Sequence, residues 1–166
     1  MKKLWLFYDK ESAAPMPSVK EALNHVFGLE TDEELHLDAA GVKGAYNTKR
    51  LQYNASKLLN YLINIMSRVG SNEDVVSLWI LSDDLYVESM NFVFGVAQPG
   101  NAAVLSMHRL DSLDLINKEA IHEMGHVFGL PHCTNECVMR FSNSLDEAKV
   151  KPAKLCERCR SFLALY

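Results

Sequence analysis

Residues 122–132 read HEMGHVFGLPH, and few stretches of eleven residues restrict a chain more. Apolar positions Leu115, Ala120, Ile121, Met124 and Phe128 recur at helical spacing from Asp114 to Phe128, so His122, Glu123 and His126 stand on a helix. Residues four apart differ by about 40° in direction around a helix, which aims both imidazoles at one point, as two ligands of a tetrahedral Zn2+ ion must be. Glu123 lies about 100° round, beside the metal position, where a general base can deprotonate a zinc-bound water without taking a coordination site. Gly129 can end the helix in the left-handed conformation and Pro131 forbids its continuation, so the chain turns back and His132 can supply a third imidazole. Three protein ligands and one open position form the catalytic pattern for zinc, not the structural one. Chance placement gives a bare HExxH about once in 70 such chains, but the extended form on the order of a few times in 100,000, so the extension carries the weight. The alternatives are histidines on an ordinary amphipathic helix, or a zinc site without activity.

All four cysteines, Cys133, Cys137, Cys156 and Cys159, fall in the last fifth of the chain. Such crowding is no framework for a whole fold. Two short pairs, Cys-x3-Cys and Cys-x2-Cys, can close a tetrahedral S4 site, which in zinc chemistry is structural. Disulfide bridging and a thioredoxin-like use of the second pair are the other readings. Cys133 adjoins His132, so an S4 site would clamp the C-terminal segment and hold the turn that aims that histidine.

No repeat, low-complexity stretch or linker interrupts residues 1–166, which read as one domain. Lys3 to Tyr8 is an opening strand, followed by a polar loop with Pro15 and Pro17, and Ser18 to Phe27 is a short helix stopped by Gly28. From Asn47 or Thr48, apolar residues from Leu51 to Val69 recur at helical spacing, with Gly70 placed as the terminating left-handed residue. Val75 to Leu81 is a strand buried on both faces, and Phe92 to Ala97 pairs with Ala102 to Met107 as a hairpin around Gln98-Pro99-Gly100-Asn101. The order is strand, helix, strand, helix, strand, hairpin, then the histidine-bearing helix. His25 belongs to a solvated helix face and His36 to a polar segment, whereas His108 is a candidate for the border of the cleft.

Charge narrows the partners. With 17 Lys+Arg against 21 Asp+Glu, a net charge of −4 and no block of like charge, nucleic acid and anionic membrane surfaces are excluded as primary partners. The longest apolar runs fall far short of the roughly 20 residues that span a bilayer. Leu4 to Tyr8 is too short for the core of a signal peptide, so the cytoplasm is the expected compartment.

HEMGHVFGLPH resembles the extended zinc motif of the metzincin metalloproteases. The following HCTNECVM and the later CERC look like the archaemetzincin family in particular, and upstream MNFVFGVA and VLSMHRL resemble its strand segments before the active helix. The resemblance is clear from about Ser77 to Cys159. It implies a compact zincin-like α/β (α+β) domain with a mixed twisted sheet, an edge strand framing the cleft, a long core helix and a zinc-stapled C-terminal segment. It also implies two zinc ions, a catalytic one on His122, His126 and His132 with Glu123 as base, and a structural one on Cys133, Cys137, Cys156 and Cys159. Met139 corresponds to the methionine of the Met-turn. Some metzincin branches carry a tyrosine two residues later; here that position is Phe141, which has no donor.

The expected function is zinc-dependent hydrolysis of peptide bonds in a peptide or protein substrate, by a monomer. A catalytically silent peptide-binding module and a thiol-based zinc sensor are the rival classes. An edge strand near the cleft, either Phe92 to Ala97 or Ala102 to His108, would pair with an extended peptide.

Overall fold

The computed structural model describes residues 2–164 and arranges them as a mixed α/β fold. The sheet that organises it has five strands in the order β2-β1-β5-β8-β7, with β1 Lys3–Tyr8, β2 Glu30–His36, β5 Val75–Leu81, β7 Gly95–Gln98 and β8 Ala102–Ser106. All neighbours are parallel except β7 and β8, which pair antiparallel with Gln98 opposite Ala102, so the expected hairpin closes on its Pro-Gly turn. β5 is central and its last six residues are buried, as its unbroken apolar sequence requires. β2 is the strand between the first two helices to which the sequence pattern gives no bounds; it is ETDEELH and lies at an edge, where its side chains meet water.

Side chains alternate across the pleat and feed two cores. Leu4 and Leu6 of β1, with Val76, Leu78 and Ile80 of β5, pack under α1 (Met16–Phe27) and α3 (Leu113–Val127). Phe7, Trp79, Leu81 and Val104 pack on the other face under α2 (Ala55–Arg68). The sheet is therefore sandwiched by helices, with α3 running beside β7 and β8.

Three boundaries differ from the sequence reading, the first being the hairpin strand expected from Phe92, which starts only at Gly95. α1 starts at Met16, with Pro17 in its first turn, where a missing N–H costs nothing. α2 starts at Ala55, not near Asn47, although it ends as expected before Gly70, whose φ is 72°. Residues 46–54 instead form a hairpin of β3 (Tyr46–Asn47) and β4 (Gln52–Asn54), and β4 pairs in parallel with β6 (Leu85–Tyr86) in a small second sheet. Asn54 caps α2 by accepting from the Lys57 backbone N–H. Two short helices, α4 (Leu145–Val150) and α5 (Glu157–Leu163), complete the C-terminal segment. Among the described residues no helix is long and apolar enough to cross a membrane.

Candidate metal centre and cleft

Ser112 caps α3 by accepting from the Leu115 N–H, and the helix carries His122, Glu123 and His126 into the interior. It ends at Val127, and the chain turns at Gly129, whose φ of 94° is open to glycine at little cost, while Leu130 N–H returns to the Gly125 carbonyl. The reversal brings His132 back, and its imidazole lies 5.5 Å from that of His122 and 4.8 Å from that of His126, centre to centre. One ligand atom from each histidine lies within 4.8 Å of the other two.

Backbone carbonyls orient two of these rings. His122 Nδ1 lies 2.8 Å from Val138 O and His126 Nδ1 lies 2.8 Å from Leu130 O, so each ring donates on its Nδ1 side and keeps Nε2 free of its proton. The two Nε2 atoms face each other at 3.1 Å. Two ligands of one tetrahedral zinc, each with a Zn–N bond of about 2.0–2.1 Å, stand about 3.3 Å apart, so the spacing suits a shared ion. Burial holds all three imidazoles below their ordinary pKa, with the Lys151 ammonium adding to the effect, which favours the neutral, ligating form.

The four thiols converge in the same way. Cys133 Sγ lies 3.8 Å from Cys156 Sγ, and Cys137 Sγ lies 3.8 Å from Cys159 Sγ. A disulfide needs about 2.05 Å, whereas the edge of a tetrahedral zinc–thiolate site is about 3.8 Å, so the donors fit an S4 ion and not two bridges. The N–H groups of Met139 and Cys156 donate to Cys137 Sγ, and the Arg158 guanidinium donates to Cys133 Sγ from 3.2 Å, all of which favour thiolate. Burial raises Cys156, but hydrogen bonds from the Cys159 backbone, Asn135 and neighbouring thiols outweigh it and hold the group below its ordinary value, whereas burial keeps Cys137 and Cys159 above theirs.

A cleft of about 320 Å3 opens over the histidines, and Glu119, Glu123, β7 residues Gly95 to Ala97, Phe141 and the 87–94 segment line it. Glu123 is buried beneath β7. A Cβ on Gly95 would lie 3.0 Å from the Glu123 carboxylate and 2.5 Å from Val104 O, so this strand passes over the carboxylate only because residue 95 has no side chain. Burial pushes Glu123 up to about 8, Glu119 adding and Lys151 opposing. Gly125 permits a second close approach, since a Cβ there would meet Met139 Sδ at 2.3 Å.

The geometry brings together every histidine and cysteine of the two motifs and leaves out the other three histidines. His25 is exposed on α1 and His36 is exposed on β2, paired with Asp38. His108 is exposed near Asp83 and Asp84 and lies outside the cleft lining, which corrects its candidacy.

Sequence reasoning missed the buried pair Glu119–Lys151. Their charged groups are 3.1 Å apart with side chains 3% and 1% exposed, and Lys151 Nζ also donates to Arg140 O and stands 3.3 Å from His122 Nδ1. Glu119 is one helical turn before Glu123, a spacing that could have flagged it. Phe141, half exposed, lays its ring 5.2 Å from that of His132.

A family model, peptidase family M54, matches residues 19–164. The chain belongs to this family, the archaemetzincins. The archaemetzincin of Nanoarchaeum equitans is 47% identical over 115 residues, covering 69% of this chain and just under two thirds, 64%, of the relative. That of Archaeoglobus fulgidus is 45% identical over 123 residues, covering 70% of this chain and 71% of the relative. Among solved structures, archaemetzincin from Methanopyrus kandleri superposes with a TM-score of 0.83 at 34% identity over 99% of this chain and 94% of that one. A zinc-dependent peptidase from Methanocorpusculum labreanum gives 0.81 at 29% identity, over 96% of this chain and 99% of that one. Archaemetzincins are zinc metallopeptidases, hydrolases that act on peptides, and the mixed sheet and helices found here are those of the family.

Proposed function

We propose that this archaemetzincin cuts peptide bonds with Glu123 as general base, a catalytic zinc held by His122, His126 and His132, and a structural zinc held by the four cysteines. The observation that carries the reading is the convergence of three imidazole ligand atoms within 4.8 Å at the floor of a cleft that Glu123 also lines. When bound there, zinc supplies Lewis acidity, making water more acidic and polarising a carbonyl.

The protein groups do the rest. Glu123 takes a proton from the attacking water and passes it to the leaving amine. Gly95 keeps the carboxylate sheltered from bulk solvent under the strand. The expected substrate-pairing strand is β7, because β8 is hydrogen-bonded on both sides while β7 ends the sheet and lines the cleft. An extended peptide added along β7 would pass directly over the histidines. Phe141 carries no hydroxyl to donate to a developing oxyanion, so its contribution is an apolar wall beside His132.

The test is Glu123→Gln. It should bind as much zinc as the wild type while cleavage of a peptide library falls by about 10²–10⁴-fold. Cleavage near the wild-type rate would refute the base assignment.

A further inference from the structure

We propose that Arg50 and Gln52 are positioning residues that set substrate selectivity by holding the 87–94 segment as an apolar wall of the cleft. This rests on the peptidase reading above and goes beyond it, because both side chains lie outside the cleft lining.

Val87, Met90, Phe92, Val93 and Phe94 line one side of the cleft, yet most of this segment has no regular secondary structure. Its backbone makes a turn bond from Met90 N–H to Val87 O, and Val93 N–H donates to Leu85 O. The carbonyls of Met90 and Asn91 are taken by side chains from the β3–β4 hairpin. Arg50 Nη2 donates to Met90 O at 2.6 Å and to Asn91 O at 3.3 Å, and Gln52 Nε2 donates to Asn91 O at 2.8 Å. Arg50 Nε in turn donates to Gln52 Oε1, and its guanidinium lies 4.0 Å over the Tyr86 ring, which fixes the fork in one orientation. Gln52 also donates to Asp84, which receives both prongs of Arg109, and Arg109 stacks 4.0 Å over Phe92. The wall is thereby gripped at its tip by Arg50 and Gln52 and at its base by Arg109.

The hairpin that aims the two donors is itself under strain. Asn47 Oδ1 accepts from the backbone of Lys49 and Arg50, and the turn closes through Leu51 at φ 56°, the only non-glycine residue with positive φ among those described. A bulky residue in the left-handed region is rare without compensation, and such strain gathers where geometry serves a site. Here it places Arg50 and Gln52 on either side of that turn, both facing the 90–91 carbonyls. Because the wall presents aliphatic and aromatic side chains, the residue it accepts beside the scissile bond is a large apolar one.

The test compares wild type with Arg50→Ala and Arg50→Lys, using hydrogen exchange and two peptides that differ only by leucine or alanine at the scissile bond. In Arg50→Ala, exchange over residues 88–92 should speed up by about tenfold or more, as expected for loss of charged hydrogen bonds. KM for the leucine peptide should rise by a similar factor with kcat within about twofold, so that its preference over alanine collapses. Arg50→Lys, which keeps the charge but not the fork, should fall between the two. Unchanged exchange over 88–92, or an intact leucine preference with faster exchange, would overturn the proposal. If wild type cuts neither peptide, the selectivity role is overturned, and if it also cuts nothing in the peptide library the peptidase reading falls with it.

Discussion

His122 donates its Nδ1 proton to the carbonyl oxygen of Val138, and Val138 directly follows Cys137. The thiol cluster and the histidine cluster thus meet across one peptide unit, and Cys133 adjoins His132 on the other side. Cys156→Ser should therefore weaken zinc at the histidines as well, by about 10–100-fold, the usual effect of disturbing a ligand's orienting partner. A competitive titration with a chromogenic chelator reads this directly. An unaltered histidine-site affinity would show that the sites are independent.

The Glu119–Lys151 pair is nearly inaccessible to water. Lys151→Met strands the Glu119 carboxylate in the interior and should cost about 3–5 kcal/mol in denaturant unfolding. The double change Lys151→Met with Glu119→Leu removes both charges and should recover most of that loss. A double variant as unstable as the single one would mean that Lys151 acts through packing instead.

Asp84 supplies a pH signature. Burial raises its carboxyl, but hydrogen bonds from Arg109 and Gln52 outweigh that and hold it below the ordinary value. A depressed carboxyl stabilises the fold fully above its unfolded pKa of about 4, and the contribution fades as pH falls through the lower folded value. The Tm difference between wild type and Asp84→Asn should be constant above about pH 5 and shrink on acidification. A difference that does not depend on pH would contradict this.

Leu51 is 69% exposed, so little burial is lost on removing its side chain. Leu51→Gly relieves a left-handed conformation that costs roughly 1–2 kcal/mol, against about 0.5–1 kcal/mol of added chain entropy. A net gain of about 0.5–1 kcal/mol in thermal or denaturant unfolding is expected. Destabilisation would show that the leucine side chain contributes more than its exposure suggests.

The histidine helix was legible because its histidines are close in sequence: a spacing of three or four residues fixes direction on a helix whatever surrounds it. The start of α2 was not, since Leu51 falls on the helical period while the Asn47 side chain captures the N–H groups of Lys49 and Arg50 and turns the chain instead. β2 has no apolar alternation to announce it, because its strand character comes from pairing with β1. Glu119 and Lys151 lie 32 residues apart, and nothing short of the tertiary fold brings them together. For the same reason Arg50 and Gln52 gave no sign of their reach to residues 90 and 91.

The two rims of the five-stranded sheet are chemical opposites. β2 bears Glu30, Asp32, Glu33 and Glu34, and such a row of carboxylates deters the open hydrogen-bonding groups of another chain from zipping on. β7 reads GVAQ, with no charge. The rim proposed to pair with a substrate is therefore also the unguarded one, and self-association of this protein at high concentration should begin at β7 and be suppressed by any peptide that occupies it.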